Sequence, residues 1–124
     1  MSAEMIEYSG YLSYAQLTAE QLAAATEALG NRSDLFDVQP TWLEVEYAGR
    51  DHGRQLVAAL RTLAAVIGDA KGEVVCEIDV EETTPLFEFY SIQGGKLLRQ
   101  RGHVVREAFE EVEPAASDRV HQVA

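Results

Sequence analysis

Two pairs of carboxylates stand two residues apart in runs that alternate apolar and polar: Glu44 with Glu46, and Glu77 with Asp79. Residues i and i+2 of a strand point to the same side, so each pair converges on one face. Four such carboxylates suit a hard divalent cation, an acid–base pair or a basic protein surface. The plain alternative is a solvated polar face. Against it, alternation sets Tyr11 and Trp42 on that face and, in a later strand, Glu88, Tyr90 and Ile92. Aromatic rings bury much area at little entropic cost and dominate recognition surfaces. We therefore read the face as a site for a protein partner.

Other reactive side chains give no comparable pattern. His52, His103 and His121 have no metal-ligand spacing to one another, to Cys76 or to a carboxylate. Cys76 alternates with Val74 and Ile78, which makes it a core thiol. Ser9 and Ser13 lie in an ordinary strand without a nucleophile elbow. Gly94-Gly95-Lys96 leads into no helix, so it is a turn and not a phosphate loop. No catalytic residue, metal or cofactor is assigned. Lys96, Arg99, Arg101, His103 and Arg106 gather cationic groups near the end of the chain. An anion site is one reading; pairing of Arg99 and Arg101 with Glu88 and its neighbours is the simpler one.

These groups must be held by strands and helices. Asp51–Gly68 carries Leu56, Leu60, Leu63 and Ile67 at spacings of four, three and four, a helical period. Asp51 can cap this helix and Gly68 can end it. Its stripe stabilises by about 6–12 kcal/mol before entropy is charged, and only against a sheet. Met5–Tyr14 alternates as a half-buried strand. Thr18 and Gln21 form a capping box, with Leu17 and Leu22 as a staple, for a helix reaching Leu29. Asn31–Pro40 is a polar connection containing Leu35, Phe36 and Val38, with room for a short edge strand. Trp42–Tyr47, Glu73–Val80 and Leu86–Gln93 read as strands. Gly94-Gly95 reads as a two-residue hairpin turn, which pairs Glu88 with Arg101, Phe89 with Gln100 and Tyr90 with Arg99. We expect Phe87, Phe89 and Leu98 to face the core, with Glu88, Tyr90, Arg99 and Arg101 outward. Gly102–Val112 fits either a helix or a prolonged strand.

The 124 residues make one domain, 47 % hydrophobic and 25 % charged, in which 1–112 form an α+β unit and 113–124 a flexible tail. The elements assemble as a mainly antiparallel sheet with two helices on one face and a C-terminal hairpin, a ferredoxin-like sandwich. The net charge is −11, with 16 acidic against 5 basic residues before Lys96 and 5 of each from there on. An acidic body repels nucleic acid and anionic membranes and favours a basic protein partner. No apolar run approaches the roughly 20 residues that span a bilayer. The start MSAEMIEYSG has no leader pattern and there is one cysteine, so a reducing, cytoplasmic setting is expected.

The run FEFYSIQGGKLLRQRG, following two strand–helix units, resembles small acidic bacterial immunity proteins of polymorphic or contact-dependent toxin systems. The resemblance spans residues 5–106 and lies in pattern and charge. It implies a non-catalytic protein that binds and neutralises a basic toxin domain. The partner-binding set would be Tyr11, Trp42, Glu44, Glu46, Glu77, Asp79, Glu88, Tyr90, Arg99 and Arg101. Two further readings stay open. One is a small enzyme or ligand-binding domain with a pocket between sheet and helices, lined by Tyr8, Tyr14, Tyr47 or His52. The other is a homodimer paired through the open face.

Overall fold

A computed structural model describes residues 5–51, 54–79, 85–103 and 107–112. In chain order they form β1 (Met5–Ser13), α1 (Ala19–Leu29), a 3-10 turn (Gly30–Leu35), β2 (Phe36–Val38), β3 (Trp42–Gly49), α2 (Gln55–Ile67), β4 (Lys71–Asp79), β5 (Leu86–Gln93) and β6 (Lys96–His103). The strands make one antiparallel sheet in the order β2-β3-β1-β4-β5-β6. Each helix joins two strands that run the same way with a third inserted between them, β3 in the first crossover and β1 in the second. No described helix is long and apolar enough to cross a membrane.

Local chemistry sets the helices. Thr18 accepts from the Gln21 amide at 3.1 Å and the Gln21 side chain accepts from the Thr18 amide at 2.9 Å, the reciprocal pair expected of its spacing. Asp51 caps α2: its carboxylate accepts from the amides of Gln55 at 3.0 Å and Leu56 at 3.1 Å. Leu56, Leu60, Leu63 and Ile67 are all buried, with Ala59 and Ala64 between them. Ala25 and Leu29 bury α1 in the same cluster. That cluster takes one face of the sheet: Ile6, Tyr8 and Leu12 from β1, Leu43 and Val45 from β3, Val74, Cys76 and Ile78 from β4, Tyr90 and Ile92 from β5. The two helices thus pack on the same side and leave the opposite sheet face uncovered. Gly10 lets β1 and β4 approach, because a Cβ there would lie 2.6 Å from the Glu73 carbonyl oxygen and from Val74 Cα.

The hairpin register is the expected one, with Glu88 opposite Arg101, Phe89 opposite Gln100 and Tyr90 opposite Arg99. Gly94 and Gly95 have φ of 59° and 74°, as the tight turn demands. Its facing is the reverse of expectation. Tyr90 and Ile92 are buried against the helices, Glu88 goes in with them at 7 % exposure, and Leu98 is 43 % exposed. Phe87 and Phe89 lie on the uncovered face, half-buried and stacked at 6.2 Å. The cause is the pairing with β4, which sets Val74 opposite Tyr90 and Cys76 opposite Glu88. Once Val74 and Cys76 face the helices, β5 must follow. Leu86–Gln93 is apolar on both faces, so its own alternation does not decide between them. Residues 107–112 are exposed and have no regular structure, so neither helix nor strand continues there. Val80, residues 81–84 and the segment 113–124, expected as a tail, lie outside the described residues.

Candidate functional site

The uncovered face gathers most of the partner-binding set. Tyr11 and Trp42, diagonal neighbours on β1 and β3, stack with ring centroids 5.7 Å apart and planes 24° apart. Tyr11 is 51 % exposed. Cross-strand pairing surrounds them with carboxylates. Glu44 lies opposite both Tyr11 and Asp37, Glu46 opposite Ser9, and Glu7 opposite Glu77. Asp79 sits opposite Met5 at the end of the same ladder, and Glu73 opposite Tyr11. Glu7 against Glu77 and Asp37 against Glu44 are like charges directly across a ladder, an arrangement that destabilises a sheet. Among the described residues no three His, Cys, Asp or Glu side chains come together in a way that could hold a metal ion. Beyond β4 the face gains two aromatic rings: Val75 lies opposite Phe89 and Glu77 opposite Phe87.

Glu88, Tyr90, Arg99 and Arg101 do not belong to this surface, because they lie on the helix side of the sheet. There Glu88 is the centre of a polar cluster. Its Oε1 accepts from the Tyr90 hydroxyl at 2.7 Å and from Arg54 Nη1 at 3.1 Å. Its Oε2 lies 3.9 Å from Arg99 and 3.8 Å from Arg101. Arg54 immediately precedes α2 with φ 53° and ψ 48°, a left-handed conformation that costs a non-glycine residue about 1–2 kcal/mol. It also brings a cation to the positive end of a helix. The ion pair with Glu88 offsets both. The Tyr8 hydroxyl donates to Asp51 Oδ2 at 2.8 Å, so the cap of α2 is itself tied to β1.

These contacts quieten the groups they join. Burial, and then the bond to Asp51, raise the Tyr8 phenol far above its ordinary range. Burial, and then Glu88, do the same to Tyr90. Partial burial disfavours the Arg54 charge, but Glu88 and then Tyr8 outweigh it and hold the guanidinium protonated. Burial pushes the Cys76 thiol up to about 11, leaving almost no thiolate at neutral pH. Burial, and then Asp37, push Tyr14 up to about 12. Its hydroxyl lies within hydrogen-bond distance of the Gln39 and Trp42 carbonyls, at 2.8 and 2.7 Å. Tyr8, Tyr14 and Tyr47 are therefore engaged structural groups: Tyr47 donates to the Arg50 carbonyl at 2.8 Å. His52 lies outside the described residues. The clefts are surface features, among them one of about 410 Å³ at Ser13–Ala15 and Asp69–Lys71 and one of about 570 Å³ between α2 and β6.

Sequence reasoning missed the Glu88–Arg54–Tyr90 cluster and the Tyr8–Asp51 bond. One signal was available: Glu88 is a lone carboxylate in the apolar run LFEFYSI, and an arginine stands in the segment leading into α2. Comparison of the chain with family profiles, curated proteins and solved structures finds no match.

Proposed function

We propose that the uncovered sheet face binds a basic protein surface, and that the protein acts as a non-catalytic blocking partner in the manner of an immunity protein. One observation carries this reading. The Tyr11–Trp42 stack, with Tyr11 exposed and Trp42 half-buried, sits among carboxylates that include two like-charge pairs directly across the ladder, Glu7–Glu77 and Asp37–Glu44. A cationic partner relieves that repulsion and gives the rings a surface to cover. Arginine is the favoured partner group, since it pairs with carboxylates through two parallel bonds and stacks on tryptophan. The fold reading goes with it: β1–α1–β2–β3–α2–β4, in spatial order β2-β3-β1-β4, is a ferredoxin-like sandwich that β5 and β6 extend.

The test is binding to the product of the neighbouring gene, with the face altered by Glu44→Lys plus Glu46→Lys. Both side chains are exposed, so the fold should be kept. The expected result is a salt-sensitive complex whose association slows by about tenfold or more in the double variant. Equal binding by the wild type and the double variant refutes this face as the site.

A further inference from the structure

In a chain of net charge −11, one groove has the opposite character. It runs between α2 and β6, encloses about 570 Å³, and is lined by Arg61, Ala65, Tyr90, Lys96, Leu97 and Arg99. The hairpin sets Leu97 opposite Ile92 and Arg99 opposite Tyr90, so both belong to the helix side, where α2 presents Arg61. Lys96 alternates to the other face and only ends the groove at the turn. Arg61 and Arg99, both exposed, therefore reach the groove from opposite walls, one from the helix and one from the strand.

Neither charge is matched within the fold. Arg61 has no ion-pair partner among the described residues. Arg99 shares Glu88 with Arg54 and Arg101, and it is the farthest of the three, at 3.9 Å against 3.1 and 3.8 Å. That separation is beyond hydrogen-bond reach, so the Arg99 guanidinium keeps donors for a ligand. With Arg61, four guanidinium groups stand on this side of the sheet around one carboxylate. The glycine turn does not compete for an anion. The Gly94 amide already donates to Asp69 at 2.8 Å and the Gly95 amide to the Gly68 carbonyl at 2.7 Å.

We propose that this groove binds a small phosphate monoester, its phosphate held between Arg61 and Arg99 and its apolar body lying against Ala65 and Leu97. The volume falls within the roughly 300–1,000 Å³ of small-molecule sites. A carboxylate has two oxygens and fills one guanidinium fork. A phosphate monoester offers three terminal oxygens, enough to take a fork from each wall, and its double charge answers both arginines. A nucleic acid or an anionic bilayer would lay many charges against the acidic body, whereas a small ester places its charge in the groove alone. The site lies on the helix side, away from the Tyr11–Trp42 surface, and stands or falls independently of it.

Titration with phenyl phosphate tests this, with inorganic phosphate and benzoate in parallel at constant ionic strength. A pH of about 7.5 keeps the ester doubly charged, above its second pKa of about 6. The expected result is saturable shifts of the Ala65, Leu97 and Arg99 amides, with β1 and β3 unmoved. Benzoate should bind about tenfold more weakly or worse, and inorganic phosphate should shift the same amides with lower affinity, having no body to bury. Arg61→Ala and Arg99→Ala should each weaken phenyl phosphate by about tenfold, while Lys96→Ala should change it by less than about twofold. Both arginines are exposed, and unchanged urea midpoints verify that the variants keep the fold. No saturable shift in the groove overturns the proposal, as does affinity that survives loss of either arginine. Equal loss from Lys96→Ala and Arg99→Ala overturns it by revealing a general field effect. Benzoate binding as tightly as phenyl phosphate overturns the phosphate, and inorganic phosphate binding as tightly overturns the ester.

Discussion

Removing the Glu88 carboxylate is the most informative single perturbation of the fold. The residue is 7 % exposed, and one oxygen accepts from both Tyr90 at 2.7 Å and Arg54 at 3.1 Å. Glu88→Ala forfeits a charge-assisted bond worth about 1.5–3 kcal/mol and strands the Tyr90 hydroxyl at a further cost of about 1–3 kcal/mol. Arg54, 35 % exposed at its side chain, can turn partly to water, which trims the loss. Arg99 and Arg101 add little, since their side chains are 47 % and 71 % exposed and each such pair is worth under about 1 kcal/mol. The expected total is about 3 kcal/mol, at the lower end of what breaking a buried pair costs. Urea unfolding followed by Trp42 fluorescence measures it, with the slope checked for constancy. In the Tyr90→Phe background the cost of Glu88→Ala should fall by about 1–2 kcal/mol, because no hydroxyl is left unpaired. A cost below about 1 kcal/mol, or a larger loss from Arg99→Ala than from Glu88→Ala, refutes the cluster as a buried tie.

Gly10→Ala should destabilise by about 2–3 kcal/mol, since its Cβ meets β4 backbone rather than a movable side chain; urea midpoints of the two proteins check it. Phe89→Ala should cost about 1–2 kcal/mol rather than the roughly 3–5 kcal/mol of a fully buried ring, because Phe89 is half-buried on the uncovered face; a loss as great as that from Tyr90→Ala would contradict the facing of β5. Alkali should unfold the protein. Cys76 is raised from 9.0 to about 11 and Tyr14 from 10.0 to about 12, so the unfolded chain loses these protons first. The stability they contribute is complete below pH 9 and is lost as pH rises through 11 to 12; melting temperatures across that range test it. By the same reasoning Cys76 should resist alkylation at neutral pH until the chain unfolds.

Elements governed by local chemistry were legible in the sequence. The Thr18–Gln21 box, the Asp51 cap, the leucine stripe of α2 and the two-glycine hairpin all act within a few residues, and their spacing states the outcome. The acidic end of the uncovered face was legible for the same reason: β1, β3 and β4 are apolar on one side only. Facing failed at β5, where both sides carry large apolar groups. There the decision passes to the neighbouring strand and to Arg54, 34 residues away in sequence, which makes a buried Glu88 affordable. Such a pairing is invisible to periodicity, because its partners lie in different elements. The left-handed backbone of Arg54 is equally unannounced, since residues other than glycine seldom adopt it.

The inverted facing bears on recognition as well as on packing. With Glu88, Tyr90 and Ile92 turned inward, β5 gives the uncovered face Phe87 and Phe89, next to Val75 of β4 and close to the exposed Leu98 of β6. The face is therefore divided. β3, β1 and the ends of β4 present carboxylates around Tyr11 and Trp42, while β5 presents Phe87 and Phe89 and β6 adds Leu98 among polar neighbours. Charge and apolar area play different parts in association: surface charges mainly speed encounter and select the sign of the partner, whereas desolvated aromatic surface slows dissociation. On the proposed reading, reversing Glu44 and Glu46 acts on the association rate and its salt dependence. Truncating Phe87 or Phe89 acts on the dissociation rate and leaves the salt dependence in place. A partner that covered only the acidic half would show no response to the phenylalanines, so kinetics of the two variant classes measure how far across the sheet the interface extends.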